Sequence, residues 1–181
     1  MPGIGRLIVG ASGSPGSLHA LRYAEGLARA HGAVLIPVLA WEPPGGDHGV
    51  RVQPSDALHQ EWHILACRQL HDALMAVWGE APDDPMVQPH VERGPAGWVL
   101  VNLARHPRDV LVVGAGRRGA LARVVYSRVS RYCLANAQCP VVAIPPPALA
   151  RELRHGHLGW VFWHRPLTPE QILRDQPKPA T

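Results

Sequence analysis

Between Asp109 and Pro145 the chain sets a short apolar run, a glycine turn, a basic segment and a second apolar run in succession. The run Val110-Leu111-Val112-Val113 stops at Gly114. A run that short, Val-rich and closed by glycine, reads as a strand covered on both faces. Gly114-Ala115-Gly116 turns the chain, and five arginines follow: Arg117, Arg118, Arg123, Arg128 and Arg131. No acidic residue occurs between Asp109 and Glu152. Val141-Val142-Ala143-Ile144, bounded by Pro140 and Pro145, closes the stretch as a second strand. Strand, turn, helix and strand make one βαβ unit. Glycines let the backbone approach an anion, and free N–H groups there face it. The stretch therefore predicts an anion-binding, nucleotide-type crevice at the end of the Val110–Val113 strand.

Gly114-x-Gly116-x-x-Gly119 also spells the dinucleotide fingerprint. That fingerprint needs an acid about 20 residues on to hold the ribose hydroxyls. The next acid is Glu152, beyond the second strand, which argues against a dinucleotide.

The same alternation runs through the whole of Arg6 to Ile144. Leu7-Ile8-Val9 is the first strand, ending at Gly10. Ser14 as N-cap and Pro15 at the first helical position open a helix that Gly32 closes. Val34 to Trp41 is the second strand, in which Pro37 predicts a bulge. Glu42 to Ser55, rich in Pro and Gly, is read as a mobile loop. A long helix then runs to Trp78, with Leu58, Trp62, Leu65, Ala66, Ala73 and Val77 as its core stripe. Val87 to Val91 is a weaker strand, and a helix carrying Val99, Leu100 and Leu103 follows. This pattern predicts an α/β domain with an open, parallel sheet of five strands and helices on both faces. Ligands in such sheets sit beyond the carboxyl ends of the strands, where strand order reverses. Periodicity does not give the strand order.

One chain of 181 residues fits a single domain, residues 1–147, followed by a C-terminal extension, residues 148–181. The net charge of +4 rests almost wholly on arginine, since Lys178 is the only lysine. Few aromatics interleave with the bases, so nucleic acid is not the expected partner. Cys67, Cys133 and Cys139 form no C-x-x-C, which favours reduced thiols and a cytoplasmic setting. No signal peptide and no bilayer-spanning run is read, so a membrane is not expected.

Two stretches carry a family resemblance. Leu7-Ile8-Val9-Gly10-Ala11-Ser12-Gly13-Ser14, then Ala20-Leu21, resembles the opening of universal stress proteins. Val112-Val113-Gly114, then Val129-Ser130 and Cys139-Pro140-Val141-Val142, resembles that family's closing stretch. Together they span Arg6 to Pro145. The resemblance implies the strand order 3-2-1-4-5, a homodimer and a regulatory role in the stress response.

Many members bind ATP through G-x-x-G, nine further residues, then G-S or G-T. In this chain Gly114 takes the first glycine, Arg117 stands where the second belongs and Ser127 where the third belongs. Arg128 takes the place of the hydroxyl residue, and Ser12 replaces the acid that faces the adenine. Ala40 matches the position whose backbone touches the base. The resemblance thus implies an ATP or anionic-ligand site of Ala11, Ser12, Ala40, Val113, Gly114, Gly116, Arg117, Ser127, Arg128, Val129 and Ser130, with a degenerate motif. A side chain at position 117 crowds a phosphate where glycine would not. Arg117 and Arg128 offer charge-assisted hydrogen bonds in exchange. Losing the acid at position 12 loosens adenine selection more than phosphate affinity. The competing reading is a protein that binds no ATP and works through its surface. A weak ATPase or phosphotransferase is a third.

No catalytic residue is expected. Ser12, Ser14, Ser127 and Ser130 have no assignable base, and no G-x-S-x-G occurs. His59, His63, Cys67 and His71 recur every four residues on the long helix. Residues so spaced can chelate a metal. They lie off the apolar stripe and are read as an exposed polar face, with no metal predicted. Cys133, beside Leu134, is read as core.

Val141–Ile144 is the last strand and predicts an apolar sheet edge, the surface expected to pair in a homodimer. In the extension, Trp160-Val161-Phe162-Trp163 is a dense aromatic knot. Such a knot packs on its own domain, on the partner subunit or on a protein client. Short helices and a disordered end, Gln176 to Thr181, complete the extension.

Overall fold

The computed structural model describes residues 3–43, 56–80, 84–115 and 128–145. The elements in order are β1 (Arg6–Gly10), α1 (Pro15–His31), β2 (Val34–Trp41), α2 (Asp56–Trp78), β3 (His90–Arg93), α3 (Ala96–Leu103), β4 (Asp109–Gly114), α4 (Arg128–Asn136) and β5 (Val141–Ile144). All four pairings are parallel, and the sheet order is β3-β2-β1-β4-β5. The order implied by the resemblance and the parallel sheet implied by the alternation are both realised. The extension, residues 148–181, lies outside the described residues.

Strand pleating sorts the apolar residues onto two faces. Leu7, Val9, Leu35, Leu39, Val110 and Val112 face α1 and α2, packing on Ala20, Leu21, Ala24, Leu70 and Leu74. Ile8, Val38, Leu111 and Val113 face the other way, onto Val99 and Leu100 of α3 and Cys133 of α4. Both faces of the central strands are covered, so they read as unbroken apolar runs. Cys133 is fully buried. Burial pushes its thiol up to about 11, with Cys139 nearby adding to the effect.

Local signals set the limits of α1. Ser14 Oγ accepts a hydrogen bond from Ser17 N, and Pro15 stands at the first helical position. Gly32 closes the helix at φ 58°, a left-handed conformation where glycine bears no Cβ penalty.

Three expectations need correction. Pro37 makes no bulge: the β1–β2 register runs unbroken from Arg6↔Val34 to Gly10↔Val38. Leu35 exchanges hydrogen bonds with the segment before β3, through Met86 O and Gln88 N. By strand alternation the nitrogen of Pro37 points to that same side. The β2–β3 ladder starts only at Val38↔His90, so no bond is lost where proline has none to give. The weaker strand is shorter and later than expected, and Val87 contributes a single bridge to Leu35. Finally, the stripe of α2 is displaced. Ala66, Leu70, Ala73 and Leu74 are buried, while Leu58 and Leu65 are 40% and 56% exposed.

The starts of β1 and β4 are tied by charge. Arg6 Nε and Nη2 donate to Asp109 Oδ1 and Oδ2 at 2.8 and 2.6 Å. Arg6 Nη2 also donates to Leu103 O, and His106 N donates to Asp109 Oδ2. Burial alone would push the Asp109 carboxyl up. The hydrogen bonds from Arg6 and His106, and the nearby guanidinium charge, outweigh it and hold the carboxyl below its ordinary value.

Candidate functional site

β1 and β4 are neighbours, but the helices that follow them cover opposite faces of the sheet. Chain leaving adjacent strands to opposite sides opens a crevice at their carboxyl ends. The register Val9↔Val112 brings Ala11 level with Gly114, and Gly10↔Val38 brings Ser12 level with Ala40. Ala11 and Val113 are buried, Ala40 is half-buried and Ser12 is exposed at the mouth. Ala11 N donates to Val38 O and Ala115 N to Ile144 O, so the ladders continue past the strand ends on both sides.

The floor of this corner is backbone. A Cβ placed on Gly114 would stand 2.9 Å from both the carbonyl carbon and the oxygen of Gly16, in the first turn of α1. The end of β4 therefore touches the N-terminus of α1, a helix of 17 residues whose first turn carries partial positive charge. Glycine at 114 has a packing reason in addition to any ligand.

Hydroxyls ring the corner. Ser12 Oγ lies 3.1 Å from Ser14 Oγ and 3.3 Å from Ser17 Oγ, and Ser17 Oγ donates to Ser14 O. Gln69 of α2 reaches over and donates from Nε2 to Ser12 O at 3.0 Å. From the opposite face, the buried Ser130 donates from Oγ to Gly114 O at 2.6 Å, fastening α4 to the end of β4. His19 Nδ1 donates to Pro145 O at 2.8 Å and ties the exit of β5 to α1.

Of the predicted site residues, Ala11, Ser12, Ala40, Val113, Gly114 and Ser130 meet around this corner. Arg128 stands exposed at the start of α4, and Val129 packs half-buried under the sheet. Gly116, Arg117 and Ser127 lie outside the described residues. Sequence reasoning missed Gly16 and Gln69. Gly16 bears no local mark, because its role is to meet a glycine far along the chain. Gln69 had a usable signal, since it falls one turn after Ala66 toward the sheet.

A cleft of about 640 Å³ opens at the other end of the sheet. Gly32, Ala33, Leu35, Trp78, Met86 and Val87 line it, together with Glu25 and Arg29, which pair at 2.9 Å. It lies at the amino ends of the strands and shares no residue with the corner.

The comparisons with known proteins decide the family. The model of the universal stress protein family matches residues 3–145. This chain belongs to the universal stress protein family. Its fold is similar to that of the universal stress protein UspA from Lactobacillus plantarum, with TM-score 0.56 and 20% identity, covering 80% of this chain and 99% of that one. It is also similar to a protein of unknown function from Pseudomonas aeruginosa PAO1, with TM-score 0.52 and 20% identity, covering 84% of this chain and 51% of that one. No curated protein gives a significant match. The matched span agrees with the stretch, Arg6 to Pro145, over which the sequence resembles universal stress proteins. Among the described residues no helix is long and apolar enough to cross a membrane. Among the same residues no three His, Cys, Asp or Glu side chains converge to hold a metal.

Proposed function

We propose that this universal stress protein is a cytoplasmic, non-catalytic regulator of the stress response that takes an anionic nucleotide, ATP or a relative, at the corner between β1 and β4. The observation that carries this reading is the meeting of Gly114 with the first turn of α1 at the switch point of the sheet. A bare backbone corner at a helix N-terminus favours negative charge. The acid-free, arginine-rich stretch from Val110 to Arg151 adds to that preference. Ser12 in place of the family acid leaves a hydroxyl, which can hydrogen-bond many partners and selects adenine less sharply. The described corner holds hydroxyls, one amide and backbone groups, and the histidine beside it, His19, is engaged with Pro145 O. That composition supports binding over turnover.

A second reading has its own support. Gly114 is already required by the Gly16 contact, so its presence alone does not demand a ligand. On that reading the chain is an interaction module. Its surfaces would be the edge strand β5, where Val141, Val142 and Ala143 are only half-buried, and the extension with its aromatic knot. Pairing through β5 into a homodimer, and a protein client for the extension, belong to both readings.

Equilibrium dialysis of labelled ATP against the purified chain separates them. The first reading expects saturable binding that Arg128→Ala weakens by about tenfold or more, the scale of one charge-assisted hydrogen bond. Absence of saturable binding up to millimolar ATP would leave only the module.

A further inference from the structure

Beside the corner, on α2, His63 and Cys67 stand four residues apart and so share one face of the helix. His63 Nε2 lies 3.6 Å from Cys67 Sγ. An ion of the zinc class sits about 2.0–2.1 Å from an imidazole nitrogen and about 2.3 Å from a thiolate. At a tetrahedral angle those two bonds span a nitrogen-to-sulfur distance of about 3.6 Å. The pair is thus already set at the separation such an ion needs. The imidazole is braced from the sheet by Trp41 at the end of β2, with ring centroids 6.1 Å apart and planes at 54°. Both side chains are exposed, so an ion can reach them from solvent.

We propose that His63 and Cys67 form a two-point clamp for a borderline-soft divalent ion of the zinc type. His59 and His71, one turn to either side, lie too far along the helix axis to join both donors on one ion, since four residues rise about 6 Å and eight about 12 Å. Among the described residues no third donor converges on the pair. Two of the four tetrahedral positions are therefore left to water, and the ion is held exchangeably and not as a structural staple. Binding is an acid–base and ligand-exchange step without redox change. The Cys67 thiol loses its proton to solvent, the sulfur and the His63 nitrogen each give a lone pair to the ion, and four of the six waters of the hydrated ion leave as it becomes tetrahedral with two waters kept.

Cobalt(II) added to the full-length chain is the direct probe, because a thiolate bound to cobalt gives a near-ultraviolet charge-transfer band. The clamp predicts a saturable band that zinc(II) erases, that Cys67→Ser abolishes and that His63→Ala weakens by about tenfold or more. The double variant Cys133→Ser/Cys139→Ser keeps it. No band at millimolar cobalt, a band that survives Cys67→Ser, or a titration unchanged by His63→Ala would overturn the proposal.

Discussion

Replacing Arg6 with leucine is expected to destabilise the fold by about 3 kcal/mol or more, whereas Asp109→Asn should cost only about 1–2 kcal/mol. The asymmetry follows from where the partners sit. The Asp109 side chain is fully buried, while that of Arg6 is 41% exposed. Removing the guanidinium strands a carboxylate away from water with one backbone donor, His106 N, left to it. Removing the carboxylate's charge leaves an arginine that can still turn to solvent. Urea unfolding of the two variants at neutral pH reads the difference, and equal losses would contradict it.

The same pair sets an acid dependence. The Asp109 carboxyl is held below its ordinary value of 3.8 in the folded chain. Its contribution is therefore complete above the ordinary value and is lost as pH falls through the lowered one. In the Arg6→Leu variant the lowering by the guanidinium is gone, and burial, the largest influence, is opposed only by His106 and pushes the carboxyl up. The unfolded state then releases its proton more readily than the folded state, so acid relatively stabilises the variant. Wild-type and variant stabilities should converge as pH drops from neutral toward the carboxylate range.

Gly114→Ala is expected to cost about 1–3 kcal/mol, the range for forcing an extra carbon into a packed core. The new methyl would meet Gly16 backbone at 2.9 Å, and backbone cannot swing aside as a long side chain can. Gly16→Ala supplies the control. The Cβ direction of Gly16 is open, with nothing within 4 Å, so alanine there should be neutral or stabilise α1 by up to about 1 kcal/mol. Thermal unfolding of both variants checks the contrast. A harmless Gly114→Ala would mean that β4 and α1 do not touch.

Much of the fold was legible because its signals are local. Apolar runs ended by Gly10 and Gly114 mark covered strands, the run ended by Pro145 marks the sheet edge, and Ser14-Pro15 marks a helix start with two independent cues. The stripe of α2 was misread because that helix carries apolar residues on more than one side. Leu58, Ile64 and Leu65 stay exposed while Leu70 and Leu74 go inward, and only the sheet decides which set is covered. Pro37 was misread for a similar reason. Its missing N–H is harmless only where the neighbouring strand has not yet begun.

The corner was legible in position but not in structure. A glycine after a strand locates it, and the strand order, carried by the family resemblance, makes it a switch point. The touch between Gly114 and Gly16, the reach of Gln69 and the anchoring of Ser130 to Gly114 O join residues far apart in sequence. No periodicity encodes such contacts. They are what fixes the width of the corner.

Amide chemical shifts of the isotope-labelled protein, followed during titration with ATP, test the central claim most directly. The account predicts saturable shifts concentrated in Gly10–Leu18 and Val113–Ala115, at the carboxyl ends of β1 and β4. Shifts confined to Ala33, Leu35 and Val87 at the far end of the sheet, or no shifts at millimolar nucleotide, would contradict it.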